Sequence, residues 1–283
     1  EGKEKDYAED GILYSESTYE KGRLRELAFY DKKGNTVESF TTRKGSGNFS
    51  FYNEQGAKTN EGYFTKEGYR EGLSTYYYNN GKKRSEASFT EGQMSGEKIM
   101  YFSNGAVMER LNYKKDEEDG FLTSFYPNGK IKYTGWFTDG SKQGEHKDYN
   151  SFGVVTSSLY YLNNEQDGYS VYYYQNGKKD YEQKFRKGWL IHFTQFDTSG
   201  NILSDCDFTN GTGEMIFKHF NGNTFVKIPY KNFYANGKYE SYYYDGKPSL
   251  MQYYKNGYKD SIAKQYYHNG KVMNEGKYVL GDK

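Results

Sequence analysis

One repeat runs through the amino-acid sequence and constrains its fold more than any other feature. Twelve glycines that close a turn-like dipeptide or a short polar loop recur at intervals of 22 to 25 residues. These turn glycines are Gly11, Gly34, Gly56, Gly81, Gly105, Gly129, Gly153, Gly177, Gly200, Gly222, Gly246 and Gly270. A period of this length is typical of proteins that stack one small structural unit many times.

Aromatic residues and further glycines recur in phase with the turn glycines. One aromatic series lies four residues before the turn glycine and is broken only at Lys218, and another lies eight residues after it and is broken only at Thr42. A second glycine lies nine residues before the turn glycine in nine of the twelve units. In the most regular units, these structural positions are Tyr77, Gly81, Phe89, Gly96, Tyr101, Gly105, Tyr113, Gly120, Phe125 and Gly129.

The chemistry of each unit predicts a β-hairpin. Asn-Gly, as at Asn80-Gly81, favours a two-residue type I′ turn in which both residues have positive φ. Between turns lie segments of six to nine residues rich in Tyr, Phe, Ser and Thr, which suits strands. With a two-residue loop, Gly72 would face Phe89, so that an aromatic ring covers bare backbone, although a single bulge would shift this register.

Composition excludes several classes of protein. Leu, Ile, Val and Phe make up only 47 of 283 residues, but the net charge of +1 argues against disorder, and 34 Tyr can line a thin sheet. No stretch approaches the ~20 apolar residues of a membrane helix. The balanced charge gives no long-range electrostatic argument for nucleic acid, so we expect no nucleic-acid partner.

The expected fold is all-β: one elongated, single-layer repeat domain over residues 1–283, with about twelve stacked antiparallel hairpins of 23–24 residues in a twisted sheet or open solenoid. The repeat is regular over 1–186, degenerate over about 187–231, and regular again over 232–283. In the degenerate part, Ile191 and Lys218 replace repeat residues and Asn210-Gly211 adds a turn, which predicts a kink or bulge.

The sequence contains no recognisable catalytic constellation. The four histidines stand in different units, and the single cysteine, Cys206, has no histidine close to it in sequence. Acidic segments such as Asp116 to Asp119 are interpreted as solvated loops. We therefore predict a non-enzymatic protein without a catalytic residue, metal site or cofactor.

A less strict aromatic row, three residues before the turn glycine, is the candidate contact surface for a partner. Because neighbouring strand residues point to opposite faces, this row should line the face opposite to Tyr77 and its equivalents. Covering of both faces by Tyr is an equally good explanation. The row consists of Tyr78, Phe102, Tyr126, Tyr174, Tyr243 and Tyr267.

The segments Phe89 to Gly105 and Tyr253 to Lys271 show the pattern Y-x-x-G-x-x-x-G-x-x-x-x-Y-Y-x-N-G-K. This pattern resembles the membrane occupation and recognition nexus (MORN) repeat, and in particular its bacterial variant in chains labelled the YwqK-type antitoxin family. The resemblance covers essentially the whole chain. It implies a row of antiparallel hairpins used as a scaffold for protein contacts, in some members near membrane lipids, and its antitoxin label implies a partner toxin.

Two classes of function follow as hypotheses. The first is a scaffold that binds a protein partner through its sheet face or groove, with an antitoxin-like role as one form of it. The alternative is a cell-envelope or surface module that binds glycan or membrane lipid; against glycan, the chain has only two Trp. Open sheet edges would allow a homodimer. The start at Glu1 rather than Met favours an exported or envelope location.

Overall fold

The computed structural model describes residues 2–42 and 45–279, and within these ranges it contains β-strands and turns but no α-helix. Twelve antiparallel hairpins follow one another, each closed at one of the twelve turn glycines, and their sheets are open. The all-β hairpin-repeat architecture predicted from the sequence is confirmed. The chain forms two compact units, Glu1–Ser141 and Lys142–Lys283.

In the first unit, strands β1 to β4 form one sheet, and β5 to β13 pair in chain order, with the short β11 beside β10. The strands are β1 (Gly2–Tyr7), β2 (Leu13–Glu20), β3 (Arg23–Tyr30), β4 (Thr36–Thr41), β5 (Gly47–Tyr52), β6 (Lys58–Phe64), β7 (Arg70–Tyr77), β8 (Lys83–Thr90), β9 (Gln93–Tyr101), β10 (Val107–Lys114), β11 (Glu117–Glu118), β12 (Gly120–Phe125) and β13 (Ile131–Thr138).

In the second unit, β14 to β19 pair in chain order, and β20 to β26 form a separate sheet with the short β22 beside β21. The strands are β14 (Ser141–Tyr149), β15 (Val155–Leu162), β16 (Glu165–Tyr173), β17 (Lys179–Arg186), β18 (Trp189–Phe196), β19 (Ile202–Asp207), β20 (Gly213–Lys218), β21 (Thr224–Lys231), β22 (Tyr234–Ala235), β23 (Gly237–Tyr242), β24 (Pro248–Lys255), β25 (Tyr258–Tyr266) and β26 (Val272–Tyr278).

The tight turn of each hairpin differs from the predicted type I′ turn. At Gly81, the glycine N–H donates to the Tyr78 carbonyl at 2.9 Å, and only the glycine of the Asn80-Gly81 pair has positive φ. This is a type I turn followed by a glycine in the left-handed region. Asn precedes Gly because its Oδ1 accepts the N–H of the residue after the glycine, as Asn80 does from Lys82 at 3.0 Å.

The predicted register is nevertheless confirmed. Gly72 pairs with Phe89, and Gly120 pairs with Phe137. The loop is one residue longer than predicted, and a β-bulge next to each turn, between Tyr76 and Tyr77 in this hairpin, restores the register.

The glycine nine residues before the turn glycine has a second role that was not predicted. Six of these nine glycines have positive φ. In the last hairpin, the same position is occupied by Ser261, which also has a positive φ, of 61°. In these seven hairpins, the position adopts a left-handed backbone conformation, which glycine accommodates without strain.

Type I′ turns do occur, but they join successive hairpins. At Glu91-Gly92, for example, both residues have positive φ, at 50° and 84°. The Gly92 N–H donates to the Arg70 carbonyl at 2.9 Å, and the same contact, 22 residues back along the chain, recurs at Gly140, Gly188 and Gly257. Each of these linking turns is thus bonded to the preceding one.

Side chains alternate between two faces of each hairpin. Counted from the turn glycine, positions −7, −5, +6 and +8 form what we call the packed face. In the described residues, this face holds the buried members of all three hydrophobic clusters, apart from Leu24. Leu24 lies directly across from Tyr19, a residue at position +8, and so joins the same face. The clusters are Leu24, Leu27, Phe29, Phe49 and Phe64; Leu111, Leu122 and Phe137; and Phe193, Phe208 and Met215.

Among the strands of residues 2–42 and 45–279, the regular pairing is interrupted twice. One interruption separates β19 from β20, within the segment predicted to be degenerate. There the Gln195 side chain accepts the Lys218 N–H at 2.7 Å and donates to its carbonyl at 3.0 Å. The other interruption separates β4 from β5 in the part predicted to be regular, next to Thr42, whose buried hydroxyl lies within 3.4 Å of the Leu24 carbonyl. The packed face bridges both interruptions with Phe-rich clusters.

Candidate binding surface

The face opposite the packed face, which we call the groove face, consists of positions −8, −6, −4, +5 and +7. Its outer positions, −8 and +7, lie directly across from each other in each hairpin, as Phe121 and Trp136 do. Large hydrophobic side chains at these positions are 37–56% exposed. They are Tyr63, Leu73, Phe121 and Trp136 in the first unit and Tyr160, Tyr169, Tyr253 and Ile262 in the second.

Sequence analysis missed these exposed side chains because they do not recur in every unit. A signal was present: Tyr63, Trp136, Tyr160 and Tyr253 each immediately precede the fixed aromatic at +8, forming aromatic doublets. In a strand, the two members of a doublet point to opposite faces. The first member of each doublet is therefore on the groove face.

In the first unit, a groove of about 580 Å³ crosses the groove face over β1 to β4. Glu16 lies in this groove, bonded to Lys5 at 2.7 Å and to the Tyr30 hydroxyl at 3.1 Å. The arrangement repeats further along: Glu61 pairs with Lys58 at 2.8 Å and accepts a hydrogen bond from the Tyr77 hydroxyl. A row of Lys–Glu–Tyr contacts thus joins each of these hairpins to the next.

These contacts shift the pKa values of their members. Burial, and then the hydrogen bond to Glu61, raises the pKa of Tyr77 to about 12. The hydrogen bonds from Lys58 and Tyr77 hold the pKa of Glu61 below its usual value. Tyr101, which donates to Glu86, has its pKa raised to about 12 for the same reasons. At neutral pH, the row consists of carboxylates, ammonium groups and neutral phenols.

We expect Glu61→Gln to lower the pKa of Tyr77 toward, but not to, 10, because the charge on its acceptor is lost while its burial remains. NMR titration with Tyr Cζ labelling measures this. The pKa of Tyr101 should not move, since its acceptor is Glu86. Because folding favours the neutral phenol, this stabilisation is fully present below pH 10 and is lost as the pH rises through about 12. An unchanged pKa of Tyr77 in the variant would contradict the assigned contact.

In the second unit, a groove of about 780 Å³ crosses β14 to β17. Its walls include the rings of Tyr160 and Tyr169, 49% and 52% exposed. The Glu145 and Glu182 carboxylates also line it, and the side chains of Lys147 and Lys179 pair with them at 2.7 and 2.6 Å. With Asp167, the walls of the groove therefore combine exposed aromatic rings with carboxylates, two of which are paired with lysines.

The structure places the predicted contact residues Tyr78, Phe102, Tyr126, Tyr174, Tyr243 and Tyr267 at the tight turns, where each is the first residue of its turn. They thus lie at the edge of the hairpins rather than along a face. Three of these phenols donate to a backbone carbonyl of the next hairpin, at 2.6 to 2.7 Å: Tyr78 to Tyr101, Tyr174 to Phe196, and Tyr243 to Tyr266. These three have a structural contact whether or not they touch a partner.

The four histidines and Cys206 do not converge. His146 is buried beside Tyr161, His192 bonds Asp205 at 2.8 Å, His219 contacts the Tyr242 carbonyl, and His268 pairs with Asp245 at 3.1 Å. Within residues 2–42 and 45–279, no group of three His, Cys, Asp or Glu side chains could hold a metal ion.

The described residues contain no helix of the length and apolarity needed to cross a membrane.

Five segments of the chain match the family model described as the MORN repeat variant. They are residues 1–21, 70–91, 119–137, 235–256 and 259–279. Each segment contains one tight turn with all or nearly all of its two flanking strands, and the last covers most of β25 and all of β26. The matches lie in both units of the chain. No curated protein matches the sequence.

Comparison with solved structures adds nothing to this family match. A crystal structure of a TcdB2–TccC3–Cdc42 complex aligns with 98% of this chain at 9% identity and a TM-score of 0.21. A Photorhabdus luminescens Tc holotoxin pore aligns with 97% of it at 9% identity and a TM-score of 0.20. This chain spans 17% of the length of each matched chain. Similarity at these TM-scores supports no inference about fold or function.

Proposed function

We propose that this protein is a non-enzymatic binding module that holds a protein partner on its groove face. The observation that carries the proposal is the difference between the two faces. The packed face is occupied by the protein's own hydrophobic clusters, whereas the groove face exposes eight large hydrophobic side chains at two fixed repeat positions. Aromatic side chains with this degree of exposure are typical anchors of protein interfaces.

The Phe121–Trp136 pair is the sharpest candidate anchor. The two residues face each other across β12 and β13 and are 50% and 47% exposed. On the packed face of the same two strands lie Leu122 and Phe137, which are buried in a cluster with Leu111, so the rings project from strands anchored in the core. Rigid aromatic rings lose little conformational entropy on binding.

Peptides selected from a random displayed library on the wild-type chain test this proposal. We expect Phe121→Ser together with Trp136→Ser to weaken the selected peptides by about 30-fold, as loss of a central anchor does. The matched control is Phe152→Ser, which removes an aromatic ring that is 79% exposed at a tight turn. If the selected peptides bound the wild type, the double variant and the Phe152→Ser control equally, the proposal would be contradicted.

The alternative is recognition of glycan by the same exposed rings. The observation that favours it is the groove of β14 to β17, which two exposed tyrosines and several carboxylates line. A glycan array separates the two functions. Glycan binding that is lost in Tyr160→Ser and Tyr169→Ser, with no peptide recovered from the library, would replace the protein-partner proposal.

A further inference from the structure

The linking turns of the second unit form an edge unlike those of the first. In three of them, a cation and an aromatic residue face each other directly across the turn. We call these residues the basic aromatic edge: Arg186 with Trp189, Lys231 with Tyr234, and Lys255 with Tyr258. Other linking turns have different pairs: Glu20 with Arg23, Thr90 with Gln93, Lys114 with Glu117, and Leu162 with Glu165. Phe64 pairs with Arg70 across the turn at Gly68, but the Phe64 ring is buried.

Contacts between the turns bring the three pairs together. The Trp189 ring lies 5.2 Å from the Tyr234 ring and 5.4 Å from the Phe233 ring, centroid to centroid. The Gly257 N–H donates to the Ala235 carbonyl at 2.9 Å, which fixes the Lys255–Tyr258 turn beside the Lys231–Tyr234 turn. The edge is therefore one continuous surface.

Positive charge on this edge is not balanced locally. Residues 186–189, 231–235 and 255–259 contain five cations and no Asp or Glu, although the whole chain has a net charge of only +1. Among the described residues, no carboxylate lies within ion-pair distance of Arg186, Lys231 or Lys255. Asp167, near Lys187, already accepts the backbone N–H of that residue at 3.1 Å.

One aromatic residue of the edge is held against its backbone preference. Phe233 has a φ of 65°, at the position where neighbouring linking turns have Gly188 and Gly257. A bulky side chain is an outlier in this conformation, and such outliers cluster at functional sites. The ring of Phe233 packs against Trp189, so the strained residue completes the aromatic surface.

We propose that the basic aromatic edge binds an acidic polypeptide segment with interspersed apolar side chains, at a site separate from the groove face. Unpaired cations attract the carboxylates, and the partly exposed rings, at 39% for Trp189 and 44% for Tyr234, receive the apolar side chains. The rings contact one another edge-on or tilted, at interplanar angles of 80° and 41°, instead of presenting parallel free faces on which successive bases could stack.

The test measures binding of a fluorescent peptide in which Asp and Glu alternate with Leu and Phe, using the full chain. The edge variant combines Arg186→Glu, Lys231→Glu and Lys255→Glu. Its matched control combines Lys178→Glu, Lys247→Glu and Lys271→Glu, which make the same change in net charge at tight turns of the same unit. Tyr258→Ala, at a residue 63% exposed, tests the aromatic contribution with little risk to folding.

We expect the edge variant to bind the acidic peptide at least about tenfold more weakly and the control variant to remain within about twofold of wild type. Tyr258→Ala should weaken binding severalfold. Equal weakening in edge and control variants would reduce the effect to net charge and overturn the proposal. Binding of oligo-dT or phosphatidylserine vesicles by this edge, without binding of the acidic peptide, would also overturn the proposal. Because the groove-face residues are unchanged in these proteins, either result is independent of the proposed groove-face function.

Discussion

Phe193→Ala is expected to lower the free energy of unfolding by about 3–5 kcal/mol. The Phe193 side chain is fully buried, and its ring lies 4.5 Å from that of Phe217, on the other side of the interruption between β19 and β20. Because regular strand pairing is absent there, the two sheets are joined by the cluster of Phe193, Phe208 and Met215 together with the Gln195–Lys218 hydrogen bonds. Removal of the ring leaves a cavity at this joint.

Urea denaturation followed by circular dichroism gives the size of the effect, and amide hydrogen exchange gives its location. Protection should fall first in β18 to β20. Phe220→Ala is the matched control, because that ring is 67% exposed and its loss should cost no more than about 0.5 kcal/mol. A cost below about 1 kcal/mol for Phe193→Ala would mean that the sheets are joined by other contacts.

Gly68→Ala is expected to destabilise the first unit by about 2–5 kcal/mol. Gly68 has a φ of 85°, and a Cβ placed on it would come within 2.5 Å of the Leu24 carbonyl oxygen. The left-handed conformation costs a non-glycine residue about 1–2 kcal/mol. The close approach adds a further cost of overpacking, typically about 1–3 kcal/mol, because a backbone atom cannot move aside as a flexible side chain can.

Gly34→Ala separates these two contributions. Gly34 has nearly the same φ, 80°, but a Cβ there would meet nothing within 4 Å. Its substitution should therefore cost only the conformational part, about 1–2 kcal/mol. The difference between the two variants in thermal or urea unfolding measures how closely the linking turn at Gly68 packs on β3. Equal costs would show that this close approach relaxes freely.

The fold could be predicted from the sequence because its information is local and repeated twelve times. Turn glycines, aromatic offsets and strand lengths together determined the hairpins and the pairing of Gly72 with Phe89. The prediction of a type I′ turn at Asn80-Gly81 was wrong because Asn before Gly occurs in two different turn types. Asn80 accepts an N–H within a type I turn, whereas Asn256, with a φ of 51°, is the first residue of a type I′ turn. The dipeptide alone does not distinguish them.

The candidate surface was harder to predict because it depends on what varies between units. Tyr78 looked available for binding, yet its hydroxyl bonds the next hairpin. Trp136 and Tyr169 have no strict periodic counterpart, and their exposure follows from the alternation of faces. The interruption beside Thr42 was marked only by one missing aromatic residue. The basic aromatic edge could not be predicted from the sequence, because Trp189 and Tyr234 are 45 residues apart and only the fold brings their rings together.

The hydrogen bonds between successive linking turns have a consequence for how such a chain can evolve. The turn bonds at Gly92, Gly140, Gly188 and Gly257 each reach back by 22 residues, and none of them needs a distant part of the chain. Duplication or deletion of one complete period would recreate the same bonds at the new junction. The number of grooves can therefore change by recombination within the gene, and each hairpin remains free to acquire its own specificity by substitutions at positions −8 and +7.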